Sequence, residues 1–310
     1  MTARDTREFL VTEAESGQRL DRVLAARLEI SRVAVKRLLE EGGVRRDGRP
    51  LTVAAKGEEV AAGDLLSVIR FLAPRDQAAM PEPDAALVVL GEGEGWVAID
   101  KPAGRPVHPL RQDETGTVLN AVIARWPQMQ GVGEGGLRSG ITHRLDTDTS
   151  GALLLATTQP AWDTLRGHFA HHTMAKTYRA IVLGDLREDG AVELPLRVAQ
   201  GSQPARVEVD ARGPKGGRAC GLAWRRLAPL RGATLVEVRP VTGFLHQVRV
   251  TLAHLGFPLA GDRLYGPPAA DDPTGAARHM LHAARLAWDD QVVESADAAD
   301  FAALLAGLQA

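Results

Sequence analysis

The chain has 310 residues, enough at roughly 150 residues per domain for about two domains. Its 45% hydrophobic and 25% charged content is ordinary for a globular protein. A single cysteine, Cys220, excludes an intrachain disulfide and any multi-cysteine zinc or iron–sulfur site, and fits a reducing compartment. The net charge of −2 excludes a uniformly basic surface, but the distribution is uneven. Residues 18–70 hold 11 Lys and Arg against 8 Asp and Glu, whereas residues 71–310 hold 24 against 27. The opening Met1 to Phe9 is too charged for a secretory leader. No run of about 18 apolar residues exists, so no membrane contact and a cytoplasmic location are expected.

Residues 1–17 read as an N-terminal extension. Leu20, Val23, Leu24 and Leu28 then fall at helical spacing. Ser31 suits the N-cap of a second helix with Val35, Leu38 and Leu39 on its core face, stopped by Gly42-Gly43. A turn at Asp47-Gly48 and a strand at Leu65–Ile69 follow. Arg32 and Lys36 lie one helical turn apart and share a face, flanked by Arg37 and followed by Arg45, Arg46 and Arg49. Such a cluster is either a solvated face or a phosphate-binding one. Residues 72–86 carry three prolines and no periodicity, which predicts a linker.

From residue 87 to the end, short β-like runs alternate with isolated helices. Strands are predicted at Leu87–Leu90, Trp96–Ile99, Leu153–Ala156, Tyr178–Leu183 and Thr234–Val238. Helices are predicted at Val118–Trp126, Ala161–Phe169, Leu245–Leu255 and around Phe301, Leu304, Leu305 and Leu308. This pattern indicates an α+β fold rather than a doubly wound sheet. The Gly-rich stretch Gly131–Gly136 lacks a preceding strand and a following Lys-Ser/Thr, so it is no phosphate loop. The segment Thr142-His-Arg-Leu-Asp-Thr-Asp-Thr-Ser-Gly151 packs polar groups between apolar runs. It is either a functional loop or a turn with Asx-type hydrogen bonds.

That segment resembles the His-Arg-Leu-Asp-x-x-Thr-Ser-Gly signature of the RluA family of RNA pseudouridine synthases. Further stretches match in the family's order: Lys101-Pro-Ala-Gly104 with Val107-His-Pro109, Lys176-Thr-Tyr-Arg-Ala180, and His246-Gln-Val-Arg249 with Gly261-Asp262. Leu281-His-Ala283 closes the series. The resemblance covers about residues 87–290. Residues 18–71 resemble the S-four type of small RNA-binding domain, through Arg19-Leu-Asp21, Leu24, Ser31-Arg32, Lys36 and Asp47-Gly48.

The resemblance implies a catalytic domain at 87–310, a mixed, largely antiparallel sheet with flanking helices and loops, preceded by a small α/β RNA-binding domain. It implies isomerisation of uridine to pseudouridine, with ribosomal RNA of the large subunit as the leading substrate and transfer RNA as the alternative. The net reaction gains no atom, so no cofactor and no metal are expected. Asp146 would be the catalytic carboxylate, Arg249 its partner, and Tyr178 a platform for the target base. His143, Arg144 and Leu145 would line the substrate site, with Arg144 entering the space that the flipped base vacates. Arg32, Lys36, Arg37 and Arg45 would hold RNA phosphates. A monomer is expected, since nothing in the sequence suggests an interface. Cys220 reads as a packing residue.

Two stretches depart from the family, and one of them, Gly217-Arg-Ala-Cys-Gly221, lacks the Ala-Thr pair often seen there. Gly243-Phe-Leu-His-Gln247 stands where Gly-Arg-Thr-His-Gln is common, replacing a cation and a hydroxyl by two apolar groups. This departure supports the competing reading, a ribosome-assembly factor that binds RNA without catalysis. The tail from Trp288 is acidic, which places it on the face away from RNA.

Overall fold

Leu20, Val23, Leu24 and Leu28 form the buried face of α1 (Leu20–Leu28), and Val35 and Leu39 that of α2 (Arg32–Glu40). The Ser31 hydroxyl caps α2 by accepting from Ala34 N at 3.1 Å. In the computed structural model, which describes residues 5–202, 205–213 and 216–309, these helices belong to a unit spanning Met1–Gln77. Its sheet runs in the order β1 (Asp5–Leu10), β4 (Leu65–Phe71), β2 (Val44–Arg46), β3 (Arg49–Pro50), antiparallel throughout. Asp47 and Gly48, both at positive φ, close the β2–β3 hairpin, a two-residue turn that matches strand twist. The expected extension at residues 1–17 is not separate from this unit. β1 pairs with β4, Phe9 packs on the core and Val11 is buried within it, which covers an otherwise open strand edge.

The second unit, Ala78–Ala310, is built on one large mixed sheet. In chain order it comprises β5 (Val88–Gly93), β6 (Trp96–Lys101), α3 (Val118–Arg125), β7 (Ser150–Ala156), α4 (Gln159–Ala170) and β8 (Ala175–Leu183). β9 (Gly190–Val198), β10 (Val207–Val209), β11 (Arg218–Leu230), β12 (Ala233–Pro240), α5 (Gln247–His254), β13 (Leu281–Trp288), β14 (Gln291–Glu294) and α6 (Ala299–Gln309) follow. The sheet order is β10-β9-β11-β12-β8-β13-β7-β6-β5, with β14 added to β13. Every described pair is antiparallel except β13 with β7.

The expected linker at 72–86 is partly structure. Ala79 lies in the second unit's core, Met80 O accepts from Asn120 Nδ2 at 2.7 Å, and the Glu82 carboxylate accepts from Gly116 N at 2.6 Å. Asn120 also completes a capping box with Thr117, so this proline-rich stretch is tied to the start of α3.

β7 is buried along its whole length because both of its faces are covered. Leu153 and Leu155 pack under α3, and Leu154 and Ala156 against Leu165 of α4. Truncating any of the three leucines to Ala would cost about 2–5 kcal/mol. Further along the sheet, Val236 and Val238 pack with Val248 and Leu252 of α5, while Ile181 and Leu235 pack with Phe301 and Leu308 of α6. Tyr178 touches both the α3 cluster and the α5 cluster. It therefore marks the seam between them.

Candidate active site

Residues 142–149 enter β7 as a loop without regular secondary structure, yet nearly every turn of it is tied down. Leu154 N donates to His143 Nε2 at 3.0 Å, and the His143 ring stacks on Phe169 with centroids 4.6 Å apart. Burial pushes the His143 pKa down to about 3, so the ring is neutral with its proton on Nδ1. Lys101, fully buried, donates to the carbonyls of Pro102 at 2.8 Å and Thr147 at 2.7 Å. Burial lowers its pKa to about 7. Gly104 N donates to the same Thr147 carbonyl.

The far end of the loop is held from the C-terminal segment. Arg278 donates to Asp148 O at 2.9 Å and to Ser150 Oγ at 3.1 Å, while Asp300 of α6 grips its guanidinium at 2.7 and 2.9 Å. His282 Nε2 lies 3.2 Å from Ser295 O, an acceptor only, so Nδ1 is free to accept from Ser150 Oγ at 3.0 Å. Thr149 Oγ1 meets His279 Nε2 at 2.8 Å. Gly151, at φ +109°, lies so close to β13 that a Cβ would stand 2.3 Å from Ala283 O. The acidic tail is thus not simply turned away from the site. Asp300 anchors Arg278 beneath the loop, and Asp297 pairs with Arg179 of β8.

With its backbone fixed in this way, the loop presents Asp146 to Arg249 of α5. Arg249 Nη1 donates to Asp146 Oδ2 at 2.9 Å. Its Nε and Nη2 make a bidentate pair with Asp262 at 2.7 and 2.9 Å. Asp262 also accepts from Leu264 N and Tyr265 N. Burial disfavours the charge on both Arg249 and Asp262, but their mutual hydrogen bonds outweigh it: the guanidinium is held protonated and the Asp262 carboxyl is lowered. Tyr178, across the site, is raised above its ordinary value by burial first and by Asp146 second, so its phenol stays neutral.

Asp146, Tyr178 and Arg249 line a cleft of about 1310 Å³ that also takes in Arg144, Phe244, Leu245 and Arg263. Arg144 is exposed there, and Leu145 is a core residue at the cleft floor. Phe244 packs beside Leu196, Val207, Cys220 and Val250, whereas Leu245 stays 36% exposed. Cys220 is buried in that cluster. Gln247 clamps the turn, accepting from Thr242 Oγ1 and Phe244 N and donating to Gly221 O.

In the first unit, Arg37 and Arg45 are exposed on α2 and β2. Lys36 pairs with Glu40 at 3.2 Å, and Arg32 bonds the buried Asp21 at 2.8 and 3.1 Å, so Arg32 has a structural task as well. Sequence reading assigned no role to Lys101, Asp262, Arg278 or Asp300. Asp262 stands in a quoted Gly-Asp pair, but nothing in its local sequence shows that it grips Arg249. Among the described residues no cluster of His, Cys, Asp or Glu is arranged to hold a metal, and no helix is long and apolar enough to cross a membrane.

A family model described as RNA pseudouridylate synthase matches residues 95–254, and one described as the S4 domain matches residues 18–57. The chain is 38% identical over 263 residues to an RNA pseudouridine synthase of Synechocystis sp., covering 84% of this chain and 78% of that one. It is 35% identical over 292 residues to the ribosomal large subunit pseudouridine synthase D of Zymomonas mobilis, covering 91% and 89%. The solved structure of human RNA pseudouridylate synthase domain containing 4 shares the fold at a TM-score of 0.57 and 21% identity, over 71% of this chain and 92% of that one. The chain therefore belongs to the RNA pseudouridylate synthase family, with an S4 domain at its N-terminus.

Proposed function

We propose that this chain isomerises specific uridines of large-subunit ribosomal RNA to pseudouridine, with Asp146 as the catalytic carboxylate. The observation that carries the reading is the Asp146–Arg249 contact at 2.9 Å, made by an arginine already fixed by Asp262. The similarity to a relative named for the large ribosomal subunit supports the choice of RNA.

The reaction breaks the bond from uracil N1 to ribose C1′, turns the base, and joins C5 to C1′. The proton leaves C5 and one is gained at N1, so the product is an isomer and no oxidant is consumed. Asp146 either attacks C1′ or removes the C2′ proton to open a glycal route. Both routes use the carboxylate, and Arg249 occupies only one of its oxygens, Oδ2. Tyr178 offers the base a flat face and a neutral hydroxyl, which suits stacking and hydrogen bonding. Arg144, exposed at the cleft, fills the stack that the extruded uridine leaves. His143 and Leu145 shape the loop beneath it. Arg32, Lys36, Arg37 and Arg45 contact phosphates and supply affinity without base readout. A monomeric enzyme acting in the cytoplasm belongs to the same reading.

The test is tritium release from RNA labelled at uridine C5, with ribosomal and transfer RNA assayed separately. Release from ribosomal RNA by wild type and none by Asp146→Asn is expected. Release from transfer RNA alone would move the substrate to that class. No release from either RNA or from an unmodified subunit, with binding intact, would favour the assembly factor.

A further inference from the structure

His246 stands between Asp146 and Tyr265, and the reaction outlined above gives it nothing to do. It is the N-cap residue of α5 and adopts φ 52°, a left-handed conformation that few non-glycine residues hold without support. The support is visible: its carbonyl accepts from Val250 N, and the neighbouring Gln247 side chain bonds both Thr242 and Phe244. The backbone is thus held in a costly shape that directs this one ring into the cleft.

The ring's proton can be placed. Tyr265 Oη accepts from Val207 N at 2.7 Å and lies 2.9 Å from His246 Nδ1. A hydroxyl that already accepts from an amide has its own hydrogen to give, and Nδ1 is the acceptor in reach. The neutral imidazole then carries its proton on Nε2. That nitrogen lies 4.0 Å from Asp146 Oδ2, the same oxygen that Arg249 holds. Burial lowers the His246 pKa, Asp146 raises it and Arg249 lowers it, with Asp262 beyond, so the ring stays neutral near pH 7. Tyr265 also lies under the Arg249 guanidinium, 5.2 Å from ring centroid to Cζ. One tyrosine therefore orients both groups that approach Asp146.

We infer that His246 is a positioning residue: its Nε2–H, fixed by the Tyr265 hydroxyl, closes on Asp146 Oδ2 when the target nucleotide enters and sets the plane of the carboxylate. The 4.0 Å gap is long for a hydrogen bond, and catalytic hydrogen bonds are often long before substrate binds. The inference rests on Asp146 being the catalytic carboxylate.

Steady-state kcat and KM for tritium release, together with RNA binding, would be measured for wild type, Asp146→Asn, His246→Ala, His246→Gly, His246→Gln and Tyr265→Phe. A carboxylate misplaced by about an ångström loses up to roughly 100-fold in rate. His246→Ala and His246→Gly should each lose about 10- to 100-fold in kcat, with KM within about threefold. His246→Gln, whose amide N–H reaches as far as Nε2, should recover most of the loss. Tyr265→Phe should lose less than His246→Ala and add nothing in the His246→Ala background. Wild-type kcat in His246→Ala, recovery by Gly but not by Gln, or a loss that falls on KM would each overturn the inference. Full activity in Asp146→Asn would instead overturn the proposed function.

Discussion

Asp21 of the small unit and Asp262 of the large one are both buried carboxylates gripped by arginine, and they differ in what the arginine does next. Asp21 is held by Arg19 and Arg32, whose side chains are 50% and 59% exposed. Burial pushes the Asp21 carboxyl up, and the hydrogen bonds from the two arginines more than offset it. These cations tie the starts of α1 and α2 together through Asp21 and end in solvent. Asp262 is held by an arginine that is itself only 9% exposed, and Arg249 extends one remaining N–H to Asp146. The same pairing thus serves as a surface brace in one unit and as an internal support for a reactive group in the other. Position in the fold makes the difference, since the chemistry of the pair is identical.

The widest separation between the two pairs should appear on substitution at the carboxylates. Asp146→Asn should lower tritium release by roughly 10³-fold or more while leaving RNA affinity within a few fold, because the group acts in the reaction and carries little of the binding. Asp262→Ala leaves Arg249 buried and half-paired. It should cost about 3–5 kcal/mol of stability, read as a fall in the urea midpoint, together with a large loss of kcat. Arg32→Ala leaves Arg19 on Asp21 and should cost roughly 1 kcal/mol, with tritium release on a short RNA unchanged. If Arg32→Ala were as damaging to turnover as Asp262→Ala, the contrast would collapse.

A pH measurement sharpens it further. Burial holds His279 at about 4, below the 6.5 of an unfolded chain. The unfolded state therefore takes up a proton first, so stability that is complete above pH 6.5 is lost as the pH falls towards 4. His279→Gln keeps a partner for Thr149 without a titrating ring, and should flatten the decline in Tm over that window. The smallest effects belong to the exposed arginines. Arg37→Ala and Arg45→Ala should each reduce RNA affinity a few fold and lower the salt slope by about 1, with stability within about 0.5 kcal/mol.

The sequence by itself determined whatever depends on neighbours a few residues apart. The leucine spacing of α1, the Ser31 cap, the Asp47-Gly48 turn and the α+β alternation are local, and each is where the spacing places it. The candidate site was legible through motifs, and Asp146, Tyr178 and Arg249 do meet in one cleft. Long strands with half-exposed faces were not legible. β9 and β11 carry Pro195, Arg225, Arg226 and Pro229, which break their apolar residues into short pieces. Their pairing partners make them strands. The same holds for β1, which has no strand identity until β4 lies beside it.

Only the tertiary structure decided which groups hold the reactive loop. Asp146 and Arg249 are 103 residues apart, and Arg278 reaches Asp148 across 130. Asp300, in a tail read as repelling RNA, fixes that arginine from α6. A charged side chain looks the same in sequence whether it ends in water or in a buried guanidinium. Its energy depends on the dielectric and the partners around it, and those exist only once the chain has folded.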